Sequence, residues 1–211
     1  MFAELVSRDE NGEELDVLVW RPPHAMLAAS TAASGGGIGP RHWVLNAEVR
    51  SDYARVDLGH HVDEIVGALG LQGTGVAMLT AAPVCFRRQS SEGGVDVEVT
   101  VGLSHPQWAV SDDDVSLSVL SPGTINIVVF VPVRLEEGAL LNVIATATEA
   151  KSQALWEASI NATGTPSDAV AVLCPLEGDV ERFGGPRSRW GAHVARGVRD
   201  AVRAGARVPT R

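Results

Sequence analysis

The sequence predicts an α+β fold: a single layered domain over residues 1–211, with mixed or largely antiparallel sheets of about nine strands packed by three main helices. Three observations lead there. Short apolar runs separated by Asn-Gly and Gly-Gly pairs fill the first half of the chain, the pattern of hairpin-linked strands. Only three stretches carry apolar residues at helical spacing. Strands and helices do not alternate in the strict way of a doubly wound parallel sheet.

The elements follow in order. Residues 2–7 and 15–20 are apolar-rich runs around Asp9-Glu10-Asn11-Gly12, an N-terminal hairpin within residues 1–23. Residues 26–31 read as a short buried strand that ends in the glycine-rich stretch 34–40, a loop expected to be neither helix nor strand. Residues 42–49 are the next strand. Leu58, Val62, Ile65, Val66 and Leu69 recur at helical spacing, and Gly70 closes that helix. Residues 75–81 form a strand, and 84–89 and 95–103 flank Ser91-Glu92-Gly93-Gly94 as a second hairpin. Residues 124–133 make the strongest strand in the chain. A long helix follows, in which Leu135, Ala139, Val143, Ala147, Ala150, Ala154 and Ala158 step by three or four. Residues 169–173 are the last strand, 190–204 the C-terminal helix, and 205–211 a loose tail.

Composition narrows the function classes. The chain has 211 residues, 45% apolar and 20% charged, with two cysteines and a net charge of −9. A chain of this length buries roughly 70% of its unfolded surface, enough for a core without staples. The acidity is diffuse, apart from Asp112-Asp113-Asp114, and argues against nucleic acid or an anionic membrane as partner. Cys85 and Cys174 lie in apolar, strand-like runs without metal-ligand spacing, which predicts two buried thiols in a reducing compartment. The first ten residues lack a basic region and an apolar segment, so no signal peptide is expected and a cytoplasmic protein is.

The long helix is unusual. Between Gly138 and Ile160 only Glu149, Lys151 and Glu157 are charged, which predicts a helix covered on most sides. At about 100° per residue Lys151 falls on the apolar stripe with Val143, Ala147 and Ala154, while Glu149 projects nearly opposite. A lysine so placed must snorkel, pair or shift its pKa. His60-His61 point about 100° apart among acidic residues, and a solvated face is expected for both. The glycine stretch lacks both the dinucleotide fingerprint and the lysine of a phosphate loop, so a flexible lip, including Gly36, is expected instead.

Several segments together resemble the adenosylcobinamide amidohydrolase family. Residues 121–130, SPGTINIVVF, are similar to its GTIN strand; residues 146–155, TATEAKSQAL, to its TATEAK helix; and residues 163–170, TGTPSDAV, to its TGT-SDA loop and strand. Ser34-Gly35-Gly36-Gly37, Asn46 in the strand after it, residues 78–82 (MLTAA) and residues 100–103 (TVGL) agree in order. The likeness covers about residues 24–200. It implies hydrolysis of the amide that joins aminopropanol to the corrin ring, giving adenosylcobyric acid for cobalamin salvage. Residues 132–134, Pro-Val-Arg, depart from the acidic turn expected after the long strand, and His105 stands where a small amide residue is expected.

Amide hydrolysis needs a nucleophile, a proton donor for the leaving amine and donors for the oxyanion. No serine elbow, zinc-protease helix or Ser-x-x-Lys is present. No metal or cofactor is expected, cobalt entering only within the corrinoid substrate. The resemblance leaves a set of polar residues. Glu149 is the choice for general acid or base, and Lys151 assists by charge. Thr124, after Gly123, is the alternative nucleophile if the chain cleaves itself there. Asn46, Thr80, Asn126, Thr148, Thr163, Thr165, Asp168 and Gly36 are the candidate substrate-binding residues; for Thr163, Thr165 and Asp168 a turn that satisfies its own backbone is the competing reading. A corrinoid-binding module without catalytic activity is the alternative to the enzyme. A homo-oligomer is compatible with either.

Overall fold

The computed structural model describes residues 1–110 and 123–207. The acidic run 112–114, the first two residues of the GTIN-like segment and the last four of the tail lie outside the described residues. Among the described residues, ten strands form two sheets. The first has the order β1 (Glu4–Glu10), β2 (Glu13–Trp20), β5 (Trp43–Glu48), β6 (Gly75–Thr80). The second has the order β4 (Gly37–Arg41), β3 (Met26–Ser30), β10 (Ala169–Cys174), β9 (Ile125–Phe130), β8 (Val95–Val101), β7 (Arg88–Glu92). Most pairs are antiparallel. Each sheet holds one parallel pair joined through a helix: β5 and β6 through α1 (Leu58–Ala68), β9 and β10 through α2 (Glu137–Glu157). The C-terminal helix is α3 (Arg189–Gly205).

Side-chain alternation along the strands builds the layers. Val97, Val99, Ile125, Ile127, Val170 and Val172 face one way and pack under α2 and α3 with Leu140, Val143, Val194 and Val198. Val128, Phe130, Ala171 and Leu173 face the other way and meet Leu18, Trp20, Val44 and Met78 of the first sheet. Val17, Val19, Leu45 and Ala77, on the far side of that sheet, pack against Val62 and Ile65 of α1. The order is therefore helix, four-stranded sheet, six-stranded sheet, helix pair. β9 and β10 are buried on both faces, which explains their unbroken apolar sequences.

Local chemistry sets the turns and ends. Asn11 and Gly12 have φ of 56° and 84°, and Gly93 and Gly94 of 57° and 90°, the left-handed pairs that tight hairpin turns require. After α1, the Leu71 amide donates to the Val66 carbonyl and the Gly70 amide to Gly67, a Schellman closure. Ser188 caps α3 by accepting from the Gly191 amide at 3.1 Å. Among the described residues no helix is long and apolar enough to cross a membrane.

Four expectations are corrected. The glycine stretch is not all loop: residues 37–41 are strand β4, paired with β3. A Cβ on Gly35 would lie 2.0 Å from the Gly75 carbonyl oxygen, and one on Gly36 2.3 Å from that of Ala32, so these glycines permit close backbone crossing where a flexible lip was expected. Residues 84–86 are a 3-10 turn, and the strand begins only at Arg88. Cys85 on that turn is exposed, while Cys174 is buried. His61 is not solvated: it is 1% exposed and its ring nitrogens meet Tyr53 Oη at 2.9 Å and a Glu10 carboxylate oxygen at 3.2 Å. His60 is exposed beside Glu64.

Candidate active site

The candidate site begins with Lys151. Position 151 lies on the buried side of α2 because Ala147, Ala150, Ala154 and Leu155 around it are core. Its ammonium is not left alone there: it pairs with an Asp168 carboxylate oxygen, both side chains about nine-tenths buried. Asp168 stands just before β10 and faces α2, since Val170 and Val172 of the same alternation do. Its two oxygens accept four hydrogen bonds. Oδ1 takes the Ile125 amide at 2.8 Å and the Thr165 hydroxyl at 2.5 Å; Oδ2 takes the Thr165 amide at 3.1 Å and Lys151 Nζ. A carboxylate has about four acceptor positions. All four acceptor positions of Asp168 are thus engaged, one of them by the hydroxyl of Thr165, which also lines the cavity.

An ammonium has three N–H donors, and Asp168 occupies one. Lys151 also lines an open cavity of about 340 Å³ with Gln107, Trp108, Thr148, Ser152, Thr163 and Thr165. Gly164 shapes its floor. A Cβ there would stand 2.3 Å from Asp168 Oδ2 and 2.5 Å from Lys151 Nζ, so the bare backbone is what lets the loop close over the ion pair. The loop is tied to residue 107: the Gln107 amide donates to the Gly164 carbonyl at 2.9 Å, and the Thr163 amide donates to the Gln107 carbonyl at 3.0 Å.

The two hydroxyls on the helix wall are already spent as donors. Thr148 Oγ1 donates to the Ile144 carbonyl at 2.9 Å, and Ser152 Oγ lies 3.0 Å from the Thr148 carbonyl and 3.1 Å from that of Thr163. Their remaining lone pairs make this wall hydrogen-bond accepting, while Lys151 makes the base donating.

The structure brings together Thr148, Lys151, Thr163, Thr165 and Asp168 of the sequence candidates. It puts Asn46, Thr80 and Asn126 elsewhere, in a buried polar layer between the sheets on the opposite face of β9, where Asn46 Nδ2 donates to Thr100 Oγ1 at 2.9 Å and Asn126 Nδ2 donates to Asn46 Oδ1 at 2.8 Å. Thr124, just before β9, borders the 163–168 loop: its Oγ1 lies 2.6 Å from Ser167 Oγ, and the amide of the next residue, Ile125, donates to Asp168. Thr80 Oγ1 accepts from the Ala82 amide at 3.0 Å. Thr124 is 3% exposed. Gly36 belongs to the crossing described above. Glu149 is exposed, outside the cavity lining, and has no hydrogen-bond or ion-pair partner among the described residues. The sparsely charged, covered setting expected for it is therefore absent.

Gln107 and Ser152 were missed from sequence, and Trp108 was not told apart from the other four tryptophans as a face for the corrin. Ser152 stands one turn from Thr148 and one residue from Lys151, and that spacing places it on the cavity side. Nothing local marks Gln107 and Trp108, because the strap that carries them reaches the site only through its pairing with residue 164.

A family model described as adenosylcobinamide amidohydrolase matches residues 2–211. A protein of Halobacterium salinarum named adenosylcobinamide amidohydrolase is 33% identical over 162 residues, covering 74% of this chain and 70% of that protein. One of Methanosarcina mazei with the same name is 27% identical over 187 residues, covering 84% of this chain and 88% of that protein. A crystal structure of a Pyrococcus horikoshii protein is similar in fold, with a TM-score of 0.51 at 10% identity, over 97% of this chain and 83% of that one.

Proposed function

The chain belongs to the adenosylcobinamide amidohydrolase family, and we propose that it performs the family's hydrolysis in the cavity floored by Lys151 and Asp168. It is a hydrolase of adenosylcobinamide that serves cobinamide salvage. One observation carries the assignment to this cavity: a buried lysine on an apolar helix face, paired with a carboxylate whose acceptor positions are filled, lines an open cavity.

The polarity of the walls suits the scissile group. Lys151 Nζ donates to the amide carbonyl oxygen, where negative charge builds as water adds to the carbon. Thr148 and Ser152 offer acceptors to the amide N–H and to the aminopropanol hydroxyl. The C–N bond then breaks, the carbonyl carbon keeps the oxygen of the water, and the leaving amine takes the proton that the water gives up. Asp168 is a positioning residue: it fixes Lys151 and, through Thr165 and the Ile125 amide, ties the loop to the start of β9.

The test is mass spectrometry of the purified protein turning over adenosylcobinamide in metal-free buffer. The expected result is equal release of adenosylcobyric acid and aminopropanol by a chain whose intact mass stays unchanged. A chain cut before Thr124 during activation would replace Lys151 chemistry with a terminal-threonine mechanism. Absence of product with bound ligand would leave a corrinoid-binding module.

A further inference from the structure

The cavity is too small for the whole substrate, and what remains outside needs a surface. At about 30 Å³ per water-sized group, 340 Å³ holds roughly eleven such groups. The aminopropanol arm with its amide has about nine non-hydrogen atoms and fills that space; the macrocycle with its adenosyl ligand is several times larger and must rest at the mouth. Among the described residues that line the cavity, one is a large aromatic. Trp108 lines the cavity yet is 43% exposed. It follows Gln107, whose backbone is hydrogen-bonded in both directions to the Thr163–Gly164 loop, so the indole is carried on a strap anchored to the same loop that covers Lys151.

We propose that Trp108 is the platform on which the flat macrocycle lies, and that it sets the preference for a corrinoid over an isolated amide. This rests on the reaction being placed in the Lys151 cavity. An indole gives a broad apolar face at low entropic cost, and stacking on such a face does not depend on the reacting atoms. Its contribution therefore belongs to substrate binding rather than to the chemical step. Trp156, 67% exposed at the end of α2 and outside the cavity lining, has the same chemistry without the position.

The experiment compares the wild type with Trp108→Ala, Trp108→Phe and Trp156→Ala. KM and kcat are measured with adenosylcobinamide, and equilibrium dialysis is run with cobinamide itself. For Trp108→Ala the expected result is a KM raised roughly 5- to 100-fold, the loss appearing in KM rather than kcat, with cobinamide binding weakened in parallel. Trp108→Phe restores most of the KM, and Trp156→Ala changes neither reading. An unchanged KM and unchanged dialysis for Trp108→Ala overturns the platform, as does a fall in kcat at constant KM. Wild-type protein that binds cobinamide without releasing product refutes the hydrolytic reading, while the dialysis of Trp108→Ala still decides the platform.

Discussion

Lys151 and Asp168 depend on each other unequally. Removing Asp168 strands an ammonium in a nine-tenths buried site, whereas removing Lys151 leaves the carboxylate three other donors. Asp168→Ala should therefore cost about 3–5 kcal/mol in urea unfolding, and Lys151→Met clearly less. Glu149→Gln should leave kcat within about twofold of wild type, because Glu149 is exposed outside the cavity and surface changes are usually near neutral. These residues show how far sequence reaches at this scale. Periodicity put Lys151 on the apolar face and Glu149 off it, and a lysine so placed needs a partner. That the partner is Asp168 depends on how β10 meets α2, which spacing along one segment does not encode. His61 misled for the same reason: its helix neighbours are acidic, but its partners Tyr53 and Glu10 come from other elements.

Among elements, the loop 163–168 and the glycine crossing decide most. Gly164→Ala forces a methyl against both members of the ion pair. It should lower kcat by about 10- to 100-fold, since small displacements of a positioned group are costly, with a much smaller change in melting temperature; steady-state assay beside thermal unfolding checks this. Gly35→Ala should do the reverse. Its φ of 71° and a Cβ 2.0 Å from the Gly75 carbonyl oxygen predict a loss of stability of about 2 kcal/mol or more, read by urea unfolding, with little change in kcat for the folded fraction. Hairpin turns were legible because Asn-Gly and Gly-Gly state their own φ preferences. The stretch 34–41 was not, because glycines kept for close approach look the same as glycines kept for flexibility. Strand β4 then holds its shape by pairing with β3, a tertiary gain that overrides its poor strand propensity.

At the scale of the whole molecule, two sheets face each other across a layer that is apolar at one end and polar where Asn46, Thr100 and Asn126 meet. The composition and the hairpins indicate α+β, and the described residues hold ten strands and three helices. Which strands share a sheet was hidden, since both sheets use the same alternating pattern and only long-range pairing separates them. Glu48 at the end of β5 reports on this packing. Burial first, then the charges of Asp16 and Glu13, raise its carboxyl above 4.5, outweighing the Val84 amide and Arg8. A raised folded pKa means that its contribution to stability is fully present below the unfolded value and is lost as pH rises through the folded one. Glu48→Gln should therefore raise the melting temperature by about 1–4 °C near neutral pH, a gain that shrinks as pH is lowered toward about 4; a gain that grows on acidification would reverse the sign.

In the proposed reaction the Lys151 ammonium stabilises the developing charge on the scissile carbonyl. The most direct measurement is kcat for Lys151→Met with adenosylcobinamide, taken beside cobinamide binding and thermal unfolding of the same variant. The expected result is a kcat reduced about 10²- to 10³-fold, with binding and folding retained. Turnover at the wild-type rate by a folded Lys151→Met protein would contradict it and move the reaction to another part of the molecule.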